Sequence, residues 1–421
     1  MSLPIPARHP DRPQPVPAAI SSFAAMLAIG KPDAAGWQRL GERLNVGDEP
    51  MDSLVAWMSE AGMKQVRPLF DRALAGGIAG VPEAPEPLRR FFESVEATPA
   101  WVDPEALRVG QRALRRGGAD GMYIARDVAL LGGYQFSGFN QTLLRTGALE
   151  KGSNQRFAET LQWALDVIDD GGLEKFGSGY RSTIHVRFVH AMVRKHVQAL
   201  PDWRAEQWGL PVNQTDMAAT LVGALIAPVL GGLAMGIMTT PAELSAIAHL
   251  TRYVGWLMGV QDEWLPRSFR DSVRILYHTS TALAVADETT RQLSVPMARD
   301  PLSWHYRGAA GIRRRLAWAQ HLSVTTAFLG PRVMRTLGLP AYMPPWYPAL
   351  AHPRQRRPQH RRAGAAGRFG PRGRAWFARA EGPAAHHDRR GSGDHRGVRI
   401  PLAWSGLSAS AVWRRWRRAR D

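Results

Sequence analysis

The sequence predicts an all-α protein, a single large helical domain followed by a disordered basic C-terminal tail. Three observations support this prediction. Apolar residues recur at spacings of three and four between residues 35 and 345, which is the period of an α-helix. The same region contains no run of alternating apolar and polar residues of the kind that indicates a strand. After residue 350 the composition changes to Arg, Gly, Pro, Ala and His, with too few apolar residues to form a core.

Helices are expected in the following ranges, in chain order: 36–44, 50–61, 104–116, 119–131, 155–170, 181–198, 214–237, 241–260, 268–287, 311–329 and 331–337. Three of them follow a residue whose side chain suits an N-cap, namely Asp103, Asn154 and Thr240. Thr240 is followed three residues later by Glu243, the spacing of a capping box.

This pattern divides the chain into three parts. Residues 1–34 are rich in proline and are expected to be extended, without the compact basic region of a secretory or twin-arginine signal. Residues 35–348 form the predicted helical domain, and 349–421 the tail. An out-of-frame translation of a GC-rich gene would have the composition of this tail, so both origins stay open.

Composition excludes several classes of chemistry. The chain has no cysteine, which rules out disulfides, iron–sulfur clusters, thiolate-ligated haem and covalently attached haem. The net charge is +18, but residues 351–421 alone hold 18 Arg, no Lys and four acidic residues. The folded part is therefore nearly neutral, and no specific nucleic-acid partner is expected. Only the tail could bind nucleic acid or an anionic membrane surface.

One apolar segment raises a second class of function. Residues 217–242 contain no charged residue, and this length could span a bilayer. Pro228 and several glycines within it favour close packing in a protein core instead. The alternative to an enzyme is thus a membrane-associated helical binding protein without catalytic activity. The location is expected to be cytoplasmic, with peripheral membrane association as the open variant.

The segment 181–198 carries the strongest candidate site. His190 falls on one helical face with Thr183, Val186, Val193 and Val197, so its imidazole is expected to point into the core. An imidazole in an apolar setting can ligate a metal. A buried histidine held by a backbone carbonyl is the alternative.

Two arginines lie one turn from His190. Arg187 and Arg194 stand at positions −3 and +4, where their guanidinium groups could pair with carboxylates of a bound group. One nitrogen ligand flanked by cations would suit haem, with the cations on its propionates. The alternative is that both arginines are solvated.

A second constellation lies thirty residues upstream. Arg156 and Thr160 share a helical face with Trp163 and Val167. Such a cation needs a counter-charge, either from a neighbouring helix or from a bound group. Other signatures are missing from the sequence: the Glu-x-x-His pairs of di-iron bundles, His-Glu-x-x-His, a P-loop and a Gly-x-Ser-x-Gly elbow.

Four strings together resemble the latex-clearing protein (rubber oxygenase) family, which also includes a fungal endoplasmic-reticulum oxygenase. They are FVHAMVRKH, the Arg156-x-x-x-Thr160 pair, FFESVEATPAWVD at 91–103 and LPVNQTDMAATL at 210–221. The resemblance implies an all-helical fold with a non-covalent haem b (iron protoporphyrin IX) whose proximal ligand is His190. It also implies O2 as co-substrate and cleavage of a carbon–carbon double bond in a hydrophobic small molecule or polymer of the polyisoprenoid kind.

Two departures from the rubber-cleaving members bear on the chemistry. Beside Thr160 these members carry a lysine, where this chain has Glu159, and their pocket acid falls by spacing near Asn140 or Gln141. The rubber substrate is therefore not transferred. Our expectation is a haem-dependent oxygenase acting on an isoprenoid or alkene. The expected catalytic residues are Thr160, Glu159 and Arg156, and the expected haem-binding residues are His190, Arg194, Arg156 and Arg187, with His190 on the iron.

Overall fold

The fold was analysed in a computed structural model, which describes residues 3–147, 152–306 and 308–355. These residues all belong to one compact unit. Within those ranges the secondary structure is helical and includes no strand, so the prediction of an all-α fold is confirmed.

The helices are as follows, in chain order: α1 (Ala18–Met26), α2 (Ala34–Glu42), α3 (Glu49–Glu60), α4 (Met63–Gly76), α5 (Glu86–Glu96), α6 (Pro104–Arg115), α7 (Gly118–Ile124), α8 (Leu131–Gly133), α9 (Ser137–Arg145), α10 (Ser153–Ile168), α11 (Ser178–Gln198), α12 (Ala205–Trp208), α13 (Gln214–Leu225), α14 (Ala227–Ala234), α15 (Pro241–Leu257), α16 (Phe269–Leu283), α17 (Glu288–Arg299), α18 (Ala310–Thr336) and α19 (Trp346–Gln355). A π-helical segment, Ala125–Leu130, joins α7 to α8.

Two of the three expected caps are present. Asp103 accepts hydrogen bonds from the first backbone amides of α6. Thr240 and Glu243 form a complete capping box at the start of α15. The third expectation is wrong, because α10 starts after Gly152 and the Asn154 side chain accepts a hydrogen bond from the Trp304 indole instead.

The boundaries predicted for the flanking segments need correction. The segment 1–34 is not extended throughout, because it contains helix α1. Helix α19 runs across the boundary set at residue 349. The disorder expected for the rest of the tail, 356–421, lies outside the described residues.

The apolar segment after Gln214 is not one continuous helix. Helix α13 ends at Leu225 and α14 begins at Ala227, with Ile226 between them at φ −101° and ψ −42°, and Pro228 stands in the first turn of α14. By length and composition Gln214–Ala234 could cross a membrane, yet most of it is buried within the fold. Burial of this kind is expected of a core helix, because the apolar side chains already pack against protein.

A long helix, α18, is interrupted at Gly330, whose φ is 76° and ψ 168°. This conformation is readily adopted only by glycine, and Pro331 follows it at the start of a new helical turn. The predicted pair of helices on either side of this point is therefore consistent with the observed kink.

The candidate site is organised around α11, which packs against α3, α10 and α15. Its deeply buried side chains include Thr183, Ile184, Phe188 and Ala191. The close approach of α6 and α15 on the neighbouring side depends on Gly110, because a Cβ there would lie 2.8 Å from a backbone oxygen of α15. Helix α11 is thus held by protein on several sides, which fixes the orientation of the side chains that it carries.

Candidate functional site

Helices α10 and α11 form an antiparallel pair that carries both predicted constellations. The indole Nε1 of Trp163 donates to Oγ1 of Thr183 at 3.0 Å, and Ser178 donates to the backbone oxygen of Asp166 at 3.5 Å. In an antiparallel pair the residue numbers at one level have a constant sum. Two helical turns along α11 from the bond between Trp163 and Thr183, His190 therefore lies level with Arg156 near the start of α10.

His190 is half-buried, and its Nδ1 is enclosed without a hydrogen-bond partner among the described residues. Burial, aided by the positive charge of Arg194, lowers the pKa of His190 to about 3. The ring is therefore neutral near pH 7 and keeps a lone pair available. The simpler alternative was a histidine whose ring nitrogen is held by a backbone carbonyl, and no such bond is present at Nδ1. Leaving a buried polar atom without a partner costs about 1–3 kcal/mol.

Arg187 has its counter-charge inside the protein. Its Nε and Nη2 bind the carboxylate of Asp48 at 2.6 and 2.7 Å, and Nη1 reaches the backbone oxygen of Leu257 at 3.4 Å. The guanidinium also lies 5.3 Å from the centre of the Phe91 ring. Both members of the ion pair are buried. The expectation that Arg187 faces a propionate is not retained, because its hydrogen-bonding capacity is used within the fold.

Arg194 is also paired. Its Nε contacts both carboxylate oxygens of Asp52, at 2.8 and 2.9 Å, and its Nη1 donates to the backbone oxygen of Val212 at 2.5 Å. Only 2% of the Arg194 side chain is exposed. Both arginines thus join α11 to the beginning of α3, and Arg194 also joins it to the chain before α13. Because Arg194 Nη2 is enclosed without a hydrogen-bond partner among the described residues, haem anchoring by Arg194 stays a prediction.

Arg156 is the third cation of this group. It is half-buried, and among the described residues its interaction is with the hydroxyl of Tyr134. Burial raises the pKa of Tyr134, and the nearby Arg156 opposes that rise. A cation that faces a neutral phenol rather than a carboxylate keeps the capacity to pair with an anionic group of a ligand.

A large apolar cavity lies beside α10. It comprises about 1500 Å³ including its opening to solvent, and α10 contributes Phe157, Thr160, Leu161, Trp163 and Ala164 to its wall. The remaining wall comes from the N-terminal segment, the π-helical segment with α8 and α9, and helices α13, α14, α16 and α18. Thr160 donates its hydroxyl proton to the backbone oxygen of Arg156 at 3.1 Å, so a lone pair of its oxygen remains for a ligand.

The cavity wall offers almost no charge. Asp216 is the one ionisable side chain among the lining residues, and Arg8 neutralises it through two hydrogen bonds of 2.7 and 3.1 Å. The other polar side chains are one amide, three hydroxyls and one indole. Such a wall suits an apolar ligand, because it exposes few groups that would have to be desolvated.

Small residues on two sides leave room for a flat group. An ideal Cβ built on Gly133 or on Gly223 would meet no atom within 4 Å, so side chains at these lining positions would project into open space. Ala129 and Ala219 line the cavity close to them. Glycine at such positions allows a planar ligand to approach the backbone.

Not every predicted site residue reaches this cavity. Glu159 is half-buried, accepts a hydrogen bond from Gln155 at 3.1 Å and is not part of the wall. The imidazole of His190, on the neighbouring helix α11, does not line it either. Asn140 is fully buried and donates to the Tyr134 backbone, whereas Gln141 donates to Asp287. Neither amide can act as a general base.

The structure contains a buried polar network that the sequence did not predict. Asp127 in the π-helical segment binds His321 Nδ1 at 2.5 Å and Arg126 at 2.6 Å. Arg126 extends the network to Asp300, at 3.4 Å, and Asp300 accepts a hydrogen bond from Ser153 at the start of α10. The signal available in the sequence is the Arg-Asp pair inside the apolar run YIARDVALL. This network fixes the π-helical segment, which also forms one wall of the cavity.

Within the described ranges no group of three His, Asp or Glu side chains is arranged to hold a metal ion. A haem iron requires only one protein nitrogen from this set, because the porphyrin supplies the others. The residues present fit such a group in two separate respects: His190 offers a neutral nitrogen without a partner, and the cavity, which His190 itself does not line, offers apolar space beside glycines.

Comparison with known proteins identifies the family and the fold. The family described as ER-bound oxygenase mpaB/B'/Rubber oxygenase, catalytic domain, matches residues 121–368. A curated relative, the rubber oxygenase of Streptomyces sp. (strain K30), is 25% identical over 235 residues, which make up 53% of this chain and 56% of that protein. The match thus spans about half the length of the relative.

A solved structure of latex clearing protein LCP in the closed state superposes with a TM-score of 0.64 at 19% sequence identity. It covers 75% of this chain and 85% of that chain, and it shares the all-helical fold. Because the family match extends over more than half of the sequence, this chain belongs to the family of ER-bound oxygenases mpaB/B' and rubber oxygenases.

Proposed function

We propose that this protein is an oxygenase that binds non-covalent haem b through His190 and oxidises a hydrophobic substrate with O2. The observation that carries the proposal is the enclosed Nδ1 of His190, which has no hydrogen-bond partner among the described residues. Family membership supports the oxygenase activity, and the apolar cavity supports the class of substrate.

His190 would hold the iron because its low pKa keeps the imidazole neutral across the physiological range. Haem iron supplies the centre at which O2 is bound and activated. The salt bridges of Arg187 and Arg194 would act indirectly, because they fix the helix on which His190 stands. Arg156 is a further cation that could pair with a haem carboxylate.

The cavity would bind the apolar substrate and exclude water from it. We infer an alkene or an isoprenoid, as a small molecule or as part of a polymer. Cleavage of a carbon–carbon double bond by one O2 yields two carbonyl groups with one oxygen atom in each, so no further reductant is consumed overall. Thr160 would orient an oxygen-containing group through its free lone pair. For Glu159 we propose no direct contact with the substrate, because this residue does not line the cavity.

The absorbance spectrum of the purified protein tests haem binding without any assay of activity. We expect a Soret band in the wild-type protein after supply of haemin, and loss of that band in His190→Ala. Free imidazole should restore it in the variant, because it can occupy the space left by the ring. His196→Ala is the matched control, since His196 lies on the same helix and is half-buried.

A His190→Ala protein that folds and retains the wild-type band contradicts the assignment. So does a wild-type protein that takes up no haemin. The oxygenase activity itself is tested with isotopically labelled O2 and a terpenoid alkene. The expected products are carbonyl compounds that carry the label, and products without label would refute the proposed reaction.

A further inference from the structure

The N-terminal segment forms one wall of the large cavity. Val16, Pro17, Ala19, Ile20 and Phe23 all line it. Their spacing of three and four residues corresponds to one face of α1, so the helix presents a continuous apolar surface to the cavity. The opposite face, with Ala18, Ser22 and Ala25, is exposed, and at the C-terminal end of the helix 74% of Met26 is accessible to solvent.

This wall is fixed at both ends. Before α1, the amide of Gln14 donates to the backbone oxygen of Thr281 at 2.9 Å. After α1, the guanidinium of Arg270 donates to the backbone oxygens of Leu27 and Ala28 at 2.9 and 2.8 Å. The helix itself packs against α16 and α18. Hydrogen bonds on both sides thus attach α1 to α16 at the edge of the cavity.

A buried ion pair holds the chain still further upstream. Arg8 binds Asp216, and both side chains are less than one-tenth exposed. The guanidinium fits against Gly138, where a Cβ would lie only 2.1 Å from Nη1. The route of the N-terminal chain towards the cavity is therefore set by close packing.

Family membership does not account for this wall. The family match begins at residue 121, and α1 lies well before it. The other lining residues, from Ala125 to Leu329, all fall within the family match, whereas the lining residues of the N-terminal segment do not.

We propose that Ile20 and Phe23 determine the length of the apolar ligand that this protein accepts, by closing one end of the cavity. The inference deepens the proposed function, because it concerns the substrate-binding space of the same site. Phe23 is half-buried and packs against the main core, so its ring has a defined position. An aromatic ring held in the wall of an apolar cavity excludes a ligand chain from the space that the ring occupies.

A series of linear saturated alcohols of increasing length, titrated into the full-length protein by calorimetry, tests this proposal. Saturated alcohols are chosen because they have no double bond to cleave. In the wild-type protein the affinity should rise about fourfold for each added methylene that becomes buried, and then stop rising once the chain meets the wall. Phe23→Ala should move this limit to longer chains, and Phe23→Trp should move it to shorter ones.

Met26→Ala is the matched control and should leave the limit unchanged, since that side chain faces solvent. A general loss of stability cannot imitate the result, because it would weaken all alcohols in the same direction for both Phe23 variants. A limit that stays at the same length in both variants, or a wild-type protein that binds none of the alcohols, overturns the proposal. Failure of the proposed haem function would appear separately, as an absent Soret band beside an intact length limit.

Discussion

Trp163 and Thr183 are joined by a hydrogen bond of 3.0 Å between the indole Nε1 and the hydroxyl Oγ1, and this bond sets the register of the two helices that carry the candidate site. Thr183 is fully buried. Trp163 has one side towards this bond and also lines the cavity. The contact thus connects the wall of the cavity with the helix that holds His190.

We expect Thr183→Val to lower the free energy of unfolding by about 1–3 kcal/mol, because the indole NH would lose its acceptor while partly buried. Denaturant titration measures this loss. In a double-mutant cycle, Trp163→Phe should remove most of the penalty, since the second change also removes the donor. Strict additivity of the two changes would show that the bond contributes nothing to stability.

The buried pair of Arg187 and Asp48 gives a second prediction. Asp48→Asn should destabilise the protein by about 3–5 kcal/mol, because Arg187 would remain buried without a counter-charge. The exposed pair of Glu86 and Arg90 is the control, and Glu86→Gln should cost less than about 1 kcal/mol. If Arg187 served a haem carboxylate instead, Asp48→Asn would leave stability without haem nearly unchanged.

Acid should destabilise the fold through His190. Its pKa is lowered to about 3 in the folded protein, whereas an unfolded histidine titrates near 6.5. Below pH 6.5 the unfolded chain therefore binds a proton that the folded chain does not. The contribution of neutral His190 to the free energy of unfolding is fully present above pH 6.5. It falls by about 1.4 kcal/mol per pH unit as the pH drops from there towards 3.

The variant His190→Leu isolates this contribution from that of other buried histidines. Between pH 4 and 6 its free energy of unfolding should change with pH by about 1.4 kcal/mol per unit less than that of the wild-type protein. Equal slopes would mean that His190 is accessible to protons in the folded state.

Two glycines that line the cavity should respond in opposite ways to alanine. A Cβ on Gly223 meets no atom within 4 Å, and the residue is helical, so Gly223→Ala should stabilise the protein by about 0.5–1 kcal/mol. A Cβ on Gly231 would lie 2.7 Å from the buried Ile124, and Gly231→Ala should destabilise by about 1–3 kcal/mol. Thermal unfolding measures both. The same sign for both variants would contradict the spatial account.

Much of the helical architecture follows from local sequence signals. The expected helix over 181–198 corresponds to α11, and the capping residues Asp103 and Thr240 are found in place. These signals are local, because a cap contacts backbone amides two or three residues away. Helices α4, α5 and α17 were not predicted, although their apolar faces are buried.

The partners of the two arginines could not be read from the sequence. Asp48 and Asp52 precede Arg187 and Arg194 by about 140 positions, and only the packing of α3 on α11 brings the four side chains together. A helical stripe shows which residues share a face. It does not show whether protein or ligand covers that face, so the arginines near His190 suggested propionates where carboxylates of the chain are present.

The π-helical segment Ala125–Leu130 has a further consequence for tolerance to insertion and deletion. A π-helical turn is one residue wider than an α-helical turn, so it behaves as a single inserted residue. Deleting one residue here would restore regular α-helical geometry and leave the two flanks near their present orientation, but it would shift side chains within the segment by one position, a rotation of about 100°. Asp127 would then no longer contact His321, and Ala129 would no longer line the cavity. The positions of these two side chains therefore depend on the length of this short segment as well as on its composition.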